Sequence, residues 1–384
     1  MGSIRRQGKD SWEIRWCANG ERGRETINGK KSSAKNRLAE IEYKIANGTF
    51  VPPTKITLAE FLEKQWLVHI KPNIRQTTYD SYESTIRNHI NPTLGKLTLT
   101  KIKPLDIQQL LTDKQGDGSR ADGESGKLSP TTVRYIRKVL RAALNKAVKW
   151  RIIAYNAAIQ TEITEQTEHE HKTWNIKQIF QFLDHTKNDR LYPVYLTTIF
   201  TGMRRGEVLG LRWGDIDLEK RTALISQALI PVKGKPTISN VKTKNGLRKI
   251  PLSPYLIKAL KHHLTLMKAE RRGENNITEY PSPDDFVFTK IEGGFYDPNY
   301  VSRQFKKTIE AAGLLKICFH ELRHSHATIL YALGVNDRLI SERLGHADVK
   351  FTINTYTHSE PDQQAQAILK FDELFEQQVK KESI

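Results

Sequence analysis

The chain has 384 residues, and its 61 Lys and Arg against 43 Asp and Glu give a formal net charge of +18. A hydrophobic share of 38% with 27% charged residues excludes collagen-like, disordered and coiled-coil chains, and the length suffices for roughly two or three cores. No apolar run approaches the roughly 18 residues of a spanning helix. The N-terminus, Met1-Gly2-Ser3-Ile4-Arg5-Arg6, has charge but no apolar stretch behind it, and two isolated cysteines, Cys17 and Cys318, allow neither a disulfide framework nor a Cys-based zinc site. A reducing cytosol is the expected compartment.

The charge is uneven. Residues 1–160 hold 29 basic and 15 acidic side chains, net +14, whereas residues 161–384 hold 32 and 28, net +4. Phosphate neutralisation with counterion release is the simplest use for such a block, so the front of the chain is expected to grip nucleic acid.

From the N-terminus, Trp12, Ile14 and Trp16 alternate with Glu13, Arg15 and Cys17, and Asn19-Gly20 supplies a hairpin turn. This predicts a small three-stranded antiparallel sheet, covered by a helix that Ser33 caps and that runs to about Asn47. Val51-Pro52-Pro53 is a stiff linker that closes a module over 1–54. A helical domain is expected over 55–160. Thr57 and Glu60 form a capping box at its start, a helix spans Thr77 to Ile90 until Pro92 and Gly95 break it, and another spans Pro104 to Leu111. Lys114 to Ser129 is a polar loop. Ser129-Pro130 then starts a long helix with Val133, Ile136, Leu140, Leu144 and Ala147 on one face and Arg134, Lys138, Arg141 and Lys149 on another. The basic face is the expected phosphate contact.

Gln160 to His171 carries four glutamates and is expected as an exposed linker, with 161–172 separating the domains. The unit over 173–384 is expected as α+β and mostly helical. Helices are predicted near Ile176–His185, Leu191–Phe200 and Pro254–Arg271, strands at Thr222–Ile230, Thr237–Val241, Leu247–Leu252 and Phe286–Thr289, and helices again from about Asn299. The fold class is thus multidomain: a β-sheet plus helix module, an all-α domain and a mixed domain.

Four clusters in this last unit carry chemistry. Thr201-Gly202-Met203-Arg204-Arg205-Gly206-Glu207 aims an arginine from a helix start, where a plain salt bridge to Glu207 is the ordinary alternative. Lys242-Thr243-Lys244 precedes the hairpin turn Asn245-Gly246. His320-Glu321-Leu322-Arg323-His324-Ser325-His326 brings His320 and Arg323 to one helix face. Buried structural roles are the ordinary reading for His324 and His326, and a metal site is not expected because HExxH and Cys partners are missing. Leu344-Gly345-His346 is followed by Tyr356. Together the clusters supply two arginines, a lysine, two histidines and a tyrosine, the inventory for phosphoryl transfer without a metal.

In this order the four clusters resemble those of the tyrosine recombinases of the phage integrase family, and the likeness covers the whole chain. The resemblance implies that Arg204, rather than Arg205, is the first catalytic arginine, that Lys242 or less readily Lys244 is the hairpin lysine, and that His320, Arg323 and His346 complete the site around the nucleophile Tyr356. One position departs from the family pattern: Glu321 stands where Asp often follows the first histidine. The implied reaction is attack of Tyr356 on a DNA phosphodiester to give a 3′-phosphotyrosine, reversed by a 5′-hydroxyl of a second strand. It needs no cofactor, metal or ATP.

The resemblance also implies an arm-site-binding module over 1–54, a core-site-binding domain over 55–160 and a catalytic domain over 173–384. Arg5, Arg6, Arg15, Arg134, Lys138, Arg141 and Lys149 are the expected DNA contacts. The partners implied are double-stranded DNA at core and arm attachment sites, three further copies in a homo-tetramer on DNA, and an excisionase or host DNA-bending protein, with no membrane. The expected place is the nucleoid of a bacterial host, where a mobile element or viral genome is integrated. A C-terminal helix over Pro361–Lys380, with Ala365, Ile368, Leu369, Phe371 and Phe375 on one side, is expected to dock on a neighbouring protomer. Two other readings use similar residues: a DNA-relaxing type IB topoisomerase, and a non-catalytic DNA-binding regulator of the same fold.

Overall fold

The computed structural model describes residues 2–18, 20–52, 54–118, 120, 126–163, 172–232, 234–240, 246–271 and 281–345. The chain divides into two compact units, Met1–Glu168 and His169–Ile384.

The first unit opens with three antiparallel strands, β1 (Ser3–Gly8), β2 (Ser11–Ala18) and β3 (Glu21–Asn28), in the order β1-β2-β3. Period-two alternation sends Ile4, Trp12, Ile14 and Trp16 to one face, where α1 (Lys31–Ala46) lays Ala34, Leu38 and Ile41 over them. A Cβ at Gly23 would lie 2.4 Å from the Trp16 indole, so glycine lets that ring lie against β3. The helix begins two residues ahead of the expected Ser33 cap. It starts from Lys30 without a side-chain cap, and Ser33 N–H donates to the Lys30 carbonyl at 3.0 Å inside the first turn.

Helices make up the rest of this unit. α2 (58–70) starts at the Thr57–Glu60 capping box, both of whose bonds are present, and its middle, Phe61–Trp66, has π geometry. α3 (76–94) does not stop at Pro92. Ile86–Ile90 widens to a π stretch and the chain continues as Asn91–Leu94, with the proline in a first turn that needs no N–H from it. α4 is Pro104–Asp113, and α5 is Pro130–Lys149, whose Ser129 cap accepts from Thr132 N–H at 3.1 Å. Val133, Ile136, Leu140, Leu144 and Ala147 are buried as the spacing predicts, against Phe61, Leu62, Trp66, Ile86, Ile107 and Leu110. Each such Leu or Ile contributes about 1.5–3 kcal/mol by leaving water. Beyond α5, Arg137 Nε donates to Thr161 Oγ1 at 2.9 Å, and Gln108 exchanges bonds of 2.9 and 3.1 Å with the Glu162 backbone. The exposed linker expected over Gln160–His171 therefore does not start at 160: Thr161 is buried and Glu162 is bonded within this unit, and residues 164–171 lie outside the described residues.

In the second unit α6 (Ile176–Thr186), α7 (Tyr192–Thr201) and the short α8 (Arg205–Leu209) lead into two small sheets. β4 (Ile216–Asp217), β5 (Thr222–Ile225) and β8 (Arg248–Pro251) form one, and β6 (Gln227–Val232) with β7 (Lys235–Asn240) forms a separate hairpin. The single strand expected over Thr222–Ile230 is therefore two strands in two sheets. The chain switches at Ser226, whose hydroxyl bonds Asp215 Oδ1 at 3.3 Å. Phe286–Thr289 is not a strand either: it makes two isolated bridges, Arg212 to Phe286, through Val287 N–H to Leu211 O and Trp213 N–H to Asp285 O at 2.9 Å each, and Thr289 to Phe295.

Among the described residues four helices follow: α9 (Pro254–Arg271), α10 (Pro298–Ala311), α11 (Glu321–Ala332) and α12 (Asp337–Leu344). Trp174, Phe182, Tyr195, Phe305 and Phe319 interlock at centroid separations of 5.0–6.3 Å and anchor α6, α7 and α10 on one core. Both units are mostly helical with small antiparallel sheets, as the hydropathy pattern predicts. Among the described residues no helix is long and apolar enough to cross a membrane.

Candidate active site and nucleic-acid interface

Gly202 ends α7 with φ +66, and a Cβ there would lie 2.6 Å from the His326 ring and 2.7 Å from the Leu344 side chain. Glycine is what lets the ends of α7 and α12 meet the middle of α11. Two residues later Arg204, in extended conformation, is the N-cap of α8. Its N–H donates to Glu207 Oε2 and its Nη1 to Glu207 Oε1, both at 2.9 Å. The ordinary salt bridge is thus present, and it occupies one edge of the guanidinium.

α12 ends at Gly345, which is left-handed at φ 69. A helix C-terminus carries unsatisfied carbonyls and partial negative charge. Here three arginines distant in sequence satisfy three consecutive carbonyls: Arg248 Nε donates to Arg343 O at 2.8 Å, Arg323 Nη2 to Leu344 O at 2.7 Å, and Arg204 Nη2 to Gly345 O at 3.1 Å. Arg323 is 1% exposed, and its Nη1 also donates to Gly202 O at 2.8 Å, tying the end of α7 to the end of α12.

Glu207 is buried with every carboxylate lone pair in use. Oε1 accepts from Arg204 Nη1 (2.9 Å) and Arg248 Nη1 (3.2 Å), and Oε2 accepts from Arg204 N–H (2.9 Å) and Arg248 Nη2 (2.8 Å). Burial opposes its charge, yet the hydrogen bonds and charge of Arg248, with Arg204, outweigh burial and hold the carboxyl below its ordinary value. Arg343 braces the same region through Phe200 O (2.9 Å), Pro251 O (3.2 Å) and His326 Nε2 (3.0 Å). His326 must then carry its proton on Nδ1, which donates to Ile199 O at 2.9 Å. Burial, then the charge of Arg343, pushes its pKa down to about 3. His324 is likewise buried, so both histidines have the structural setting expected of them.

His320 is exposed at the N-cap of α11, its ring 5.1 Å from that of His324 in an edge contact, and its carbonyl accepts from Arg323 N–H at 3.1 Å. Glu321 reaches back to accept from Cys318 N–H, a span across which the longer glutamate closes the loop before the helix. Arg205 turns elsewhere: its Nη1 donates to Ser302 Oγ on α10, and burial lowers its pKa. Arg204 and Arg323 thus converge on the end of α12, with His320 at the start of the helix that carries Arg323.

Lys242, Lys244, His346, Tyr356 and the Pro361–Lys380 helix lie outside the described residues. His346 is the residue after Gly345. Arg248, Glu207 and Arg343 belong to the site's support and were not singled out from sequence as such. Glu207 stands in the Thr201–Glu207 cluster, but in β8, Arg-Lys-Ile-Pro, nothing in the sequence separates Arg248 from its charged neighbour Lys249.

In the first unit, Arg5 and Arg15 lie on the sheet face opposite α1. So do Arg22 and Arg24, which the same alternation could have found, paired across from Cys17 and Arg15. Arg15 is bonded to buried Glu13. Arg6 differs: it stands opposite Trp12 on the other face, its guanidinium 5.8 Å from that ring and bonded to the Gly8 and Lys9 carbonyls. On α5, Arg134, Lys138, Arg141 and Lys149 form one exposed stripe, and none is ion-paired among the described residues.

Comparison with known proteins matches residues 172–363 to the phage integrase family and residues 57–115 to the phage integrase N-terminal SAM-like domain. A tyrosine recombinase XerC-like protein of Caldanaerobacter subterraneus subsp. tengcongensis is 29% identical over 93% of this chain and 93% of its own length. Among solved structures, a Tn1549 transposon integrase in complex with a circular intermediate DNA aligns at TM-score 0.68 and 21% identity, over 82% of this chain and 99% of the other. A lambda integrase tetramer bound to a Holliday junction aligns at 0.57 and 16%, over 91% and 94%.

Proposed function

The chain belongs to the phage integrase family of tyrosine recombinases, a site-specific recombinase that cuts and rejoins double-stranded DNA through a 3′-phosphotyrosine, and we propose that Arg204, Lys242, His320, Arg323, His346 and Tyr356 do this work. The observation that carries the reading is the capping of three consecutive carbonyls at the end of α12, Arg343 to Gly345, by Arg248, Arg323 and Arg204. It concentrates cationic donors where a doubly charged phosphorane-like transition state needs them.

Two of the five N–H groups of the Arg204 guanidinium are used by Glu207 and Gly345. Among the described residues the other three are open to a phosphate, and the side chain is 41% exposed. Tyr356 attacks in line, its proton passing to His320. Arg204 forks onto a non-bridging oxygen, His346 donates to the same phosphate, and Arg323 holds the floor of the site while adding its charge. Lys242 gives a proton to the departing 5′-oxygen. The phosphotyrosine stores the bond energy, so a 5′-hydroxyl of a second strand reverses the step.

Residues 1–54 are proposed to read arm sites through the Arg5, Arg15, Arg22 and Arg24 face, and 55–160 to grip core DNA with the α5 stripe. Within the 161–172 segment, residues 161–163 pack with the first unit and the remainder links it to the proposed catalytic domain at 173–384. A tetramer on DNA, in the nucleoid of the host cell, is the working assembly. The test is a nicked duplex bearing the core site from DNA flanking the gene, incubated with protein in EDTA without nucleotide. A covalent protein–DNA adduct on a denaturing gel is expected. An adduct that forms only with added metal or ATP contradicts the mechanism.

A further inference from the structure

We infer that Arg248 is a positioning residue whose buried cation neutralises Glu207 and so leaves the charge of Arg204 available to the scissile phosphate. The inference rests on Arg204 being the catalytic arginine. Arg248 and Glu207 side chains are 7% and 5% exposed, and water does little to screen a charge there. Glu207 at −1, Arg248 at +1 and Arg204 at +1 sum to +1. Without Arg248 the sum is zero, and the Arg204 guanidinium faces a buried carboxylate with two vacant lone pairs.

The geometry of Arg248 fits this task. Its fork engages both Glu207 oxygens, at 3.2 and 2.8 Å, while Nε holds Arg343 O at 2.8 Å and Nη1 also reaches Gly246 O at 3.3 Å. A lysine has one donor centre and cannot span both oxygens and the helix end together. The neighbouring cation Arg343 does not substitute: its Nε, Nη1 and Nη2 donate to His326, Pro251 and Phe200, and burial followed by the charge of Arg248 lowers its pKa. Arg248 thus fixes the carboxylate whose other edge orients Arg204, and it fixes the helix end that Arg204 also bonds.

Single-turnover cleavage of a suicide duplex at saturating protein tests this, on an ordinary scissile phosphate and on a neutral methylphosphonate at the same position. Arg204→Ala should be slowed strongly on phosphate and much less on methylphosphonate, which has less charge to compensate. Arg248→Met should show the same pattern, with a loss on phosphate of about tenfold or more, and Glu207→Gln added to Arg248→Met should recover most of it. Since Arg248→Met strands a buried carboxylate, the neutral pair Glu207→Gln with Arg248→Gln provides a foldable check, and it should keep the wild-type phosphate to methylphosphonate ratio. Equal losses of Arg248→Met on both substrates, no recovery with Glu207→Gln, or a collapsed ratio in the neutral pair overturns the inference. An Arg204→Ala variant that cleaves phosphate at the wild-type rate instead overturns the assignment beneath it.

Discussion

Arg323 and Arg204 donate from their Nη2 atoms to adjacent carbonyls, those of Leu344 at 2.7 Å and Gly345 at 3.1 Å. One helix end therefore sets the placement of both guanidinium groups. Leu344 and Gly345 thus position both arginines through their backbone, and the proposed donor His346 follows them in the chain. Any change that rotates the last turn of α12 displaces both arginines together.

The two arginines at the start of α8 should separate cleanly. Arg204→Ala removes a transition-state contact and should cost about 3 kcal/mol or more, roughly a hundredfold in cleavage rate. Arg205→Ala loses the Ser302 bond and half-buried packing. It should lower stability by about 1 kcal/mol and leave single-turnover cleavage near wild type. Larger rate losses for Arg205→Ala contradict the assignment.

The α5 stripe makes a thermodynamic prediction. If Arg134 and Arg141 each neutralise one phosphate, the double substitution to Ala should reduce the slope of log affinity against log salt by about 1.8, at roughly 0.9 per contact. The loss should be similar for core and unrelated duplexes, since phosphate contacts carry no sequence information. A titration at several salt concentrations reads this. An unchanged slope removes the stripe from the interface.

His326 gives the second unit a pH dependence. Its folded pKa of about 3 lies below the ordinary 6.5, because burial and Arg343 disfavour the imidazolium. The unfolded chain therefore binds a proton that the folded chain refuses between these values. Stability is fully present above about pH 6.5 and falls as pH drops toward 3, by about 1.4 kcal/mol per unit, or about 2 kcal/mol at pH 5. Unfolding of wild type and His326→Gln between pH 5 and 8 should show a wild-type advantage that shrinks in acid. A difference independent of pH contradicts the neutral, Nδ1-protonated state.

Much of this was legible because local rules sufficed. The Thr57–Glu60 box, the Ser129 cap and the apolar stripe of α5 each depend on residues within a few positions. The Arg204 and His320–Arg323 clusters stood out because their residue types are chemically distinctive at fixed spacing. What escaped depended on geometry that residue spacing does not encode. The chain changes sheets at Ser226, where its hydroxyl bonds Asp215, a π stretch precedes Pro92 in α3, and Arg6 curls onto its own turn over Trp12. Arg248 escaped for the same reason: its partners Glu207 and Arg343 are 41 and 95 positions away.

The central claim is that Tyr356 is the nucleophile of a reaction served by the arginine-capped end of α12. The most direct measurement traps the protein on a suicide core-site duplex, digests the adduct and identifies by mass spectrometry the peptide that carries the 3′-phosphate. Linkage to Tyr356 is expected, with no adduct from Tyr356→Phe and with DNA affinity in that variant close to wild type because the phenol adds little to phosphate grip. Linkage to any other residue, or an adduct persisting in Tyr356→Phe, would contradict it.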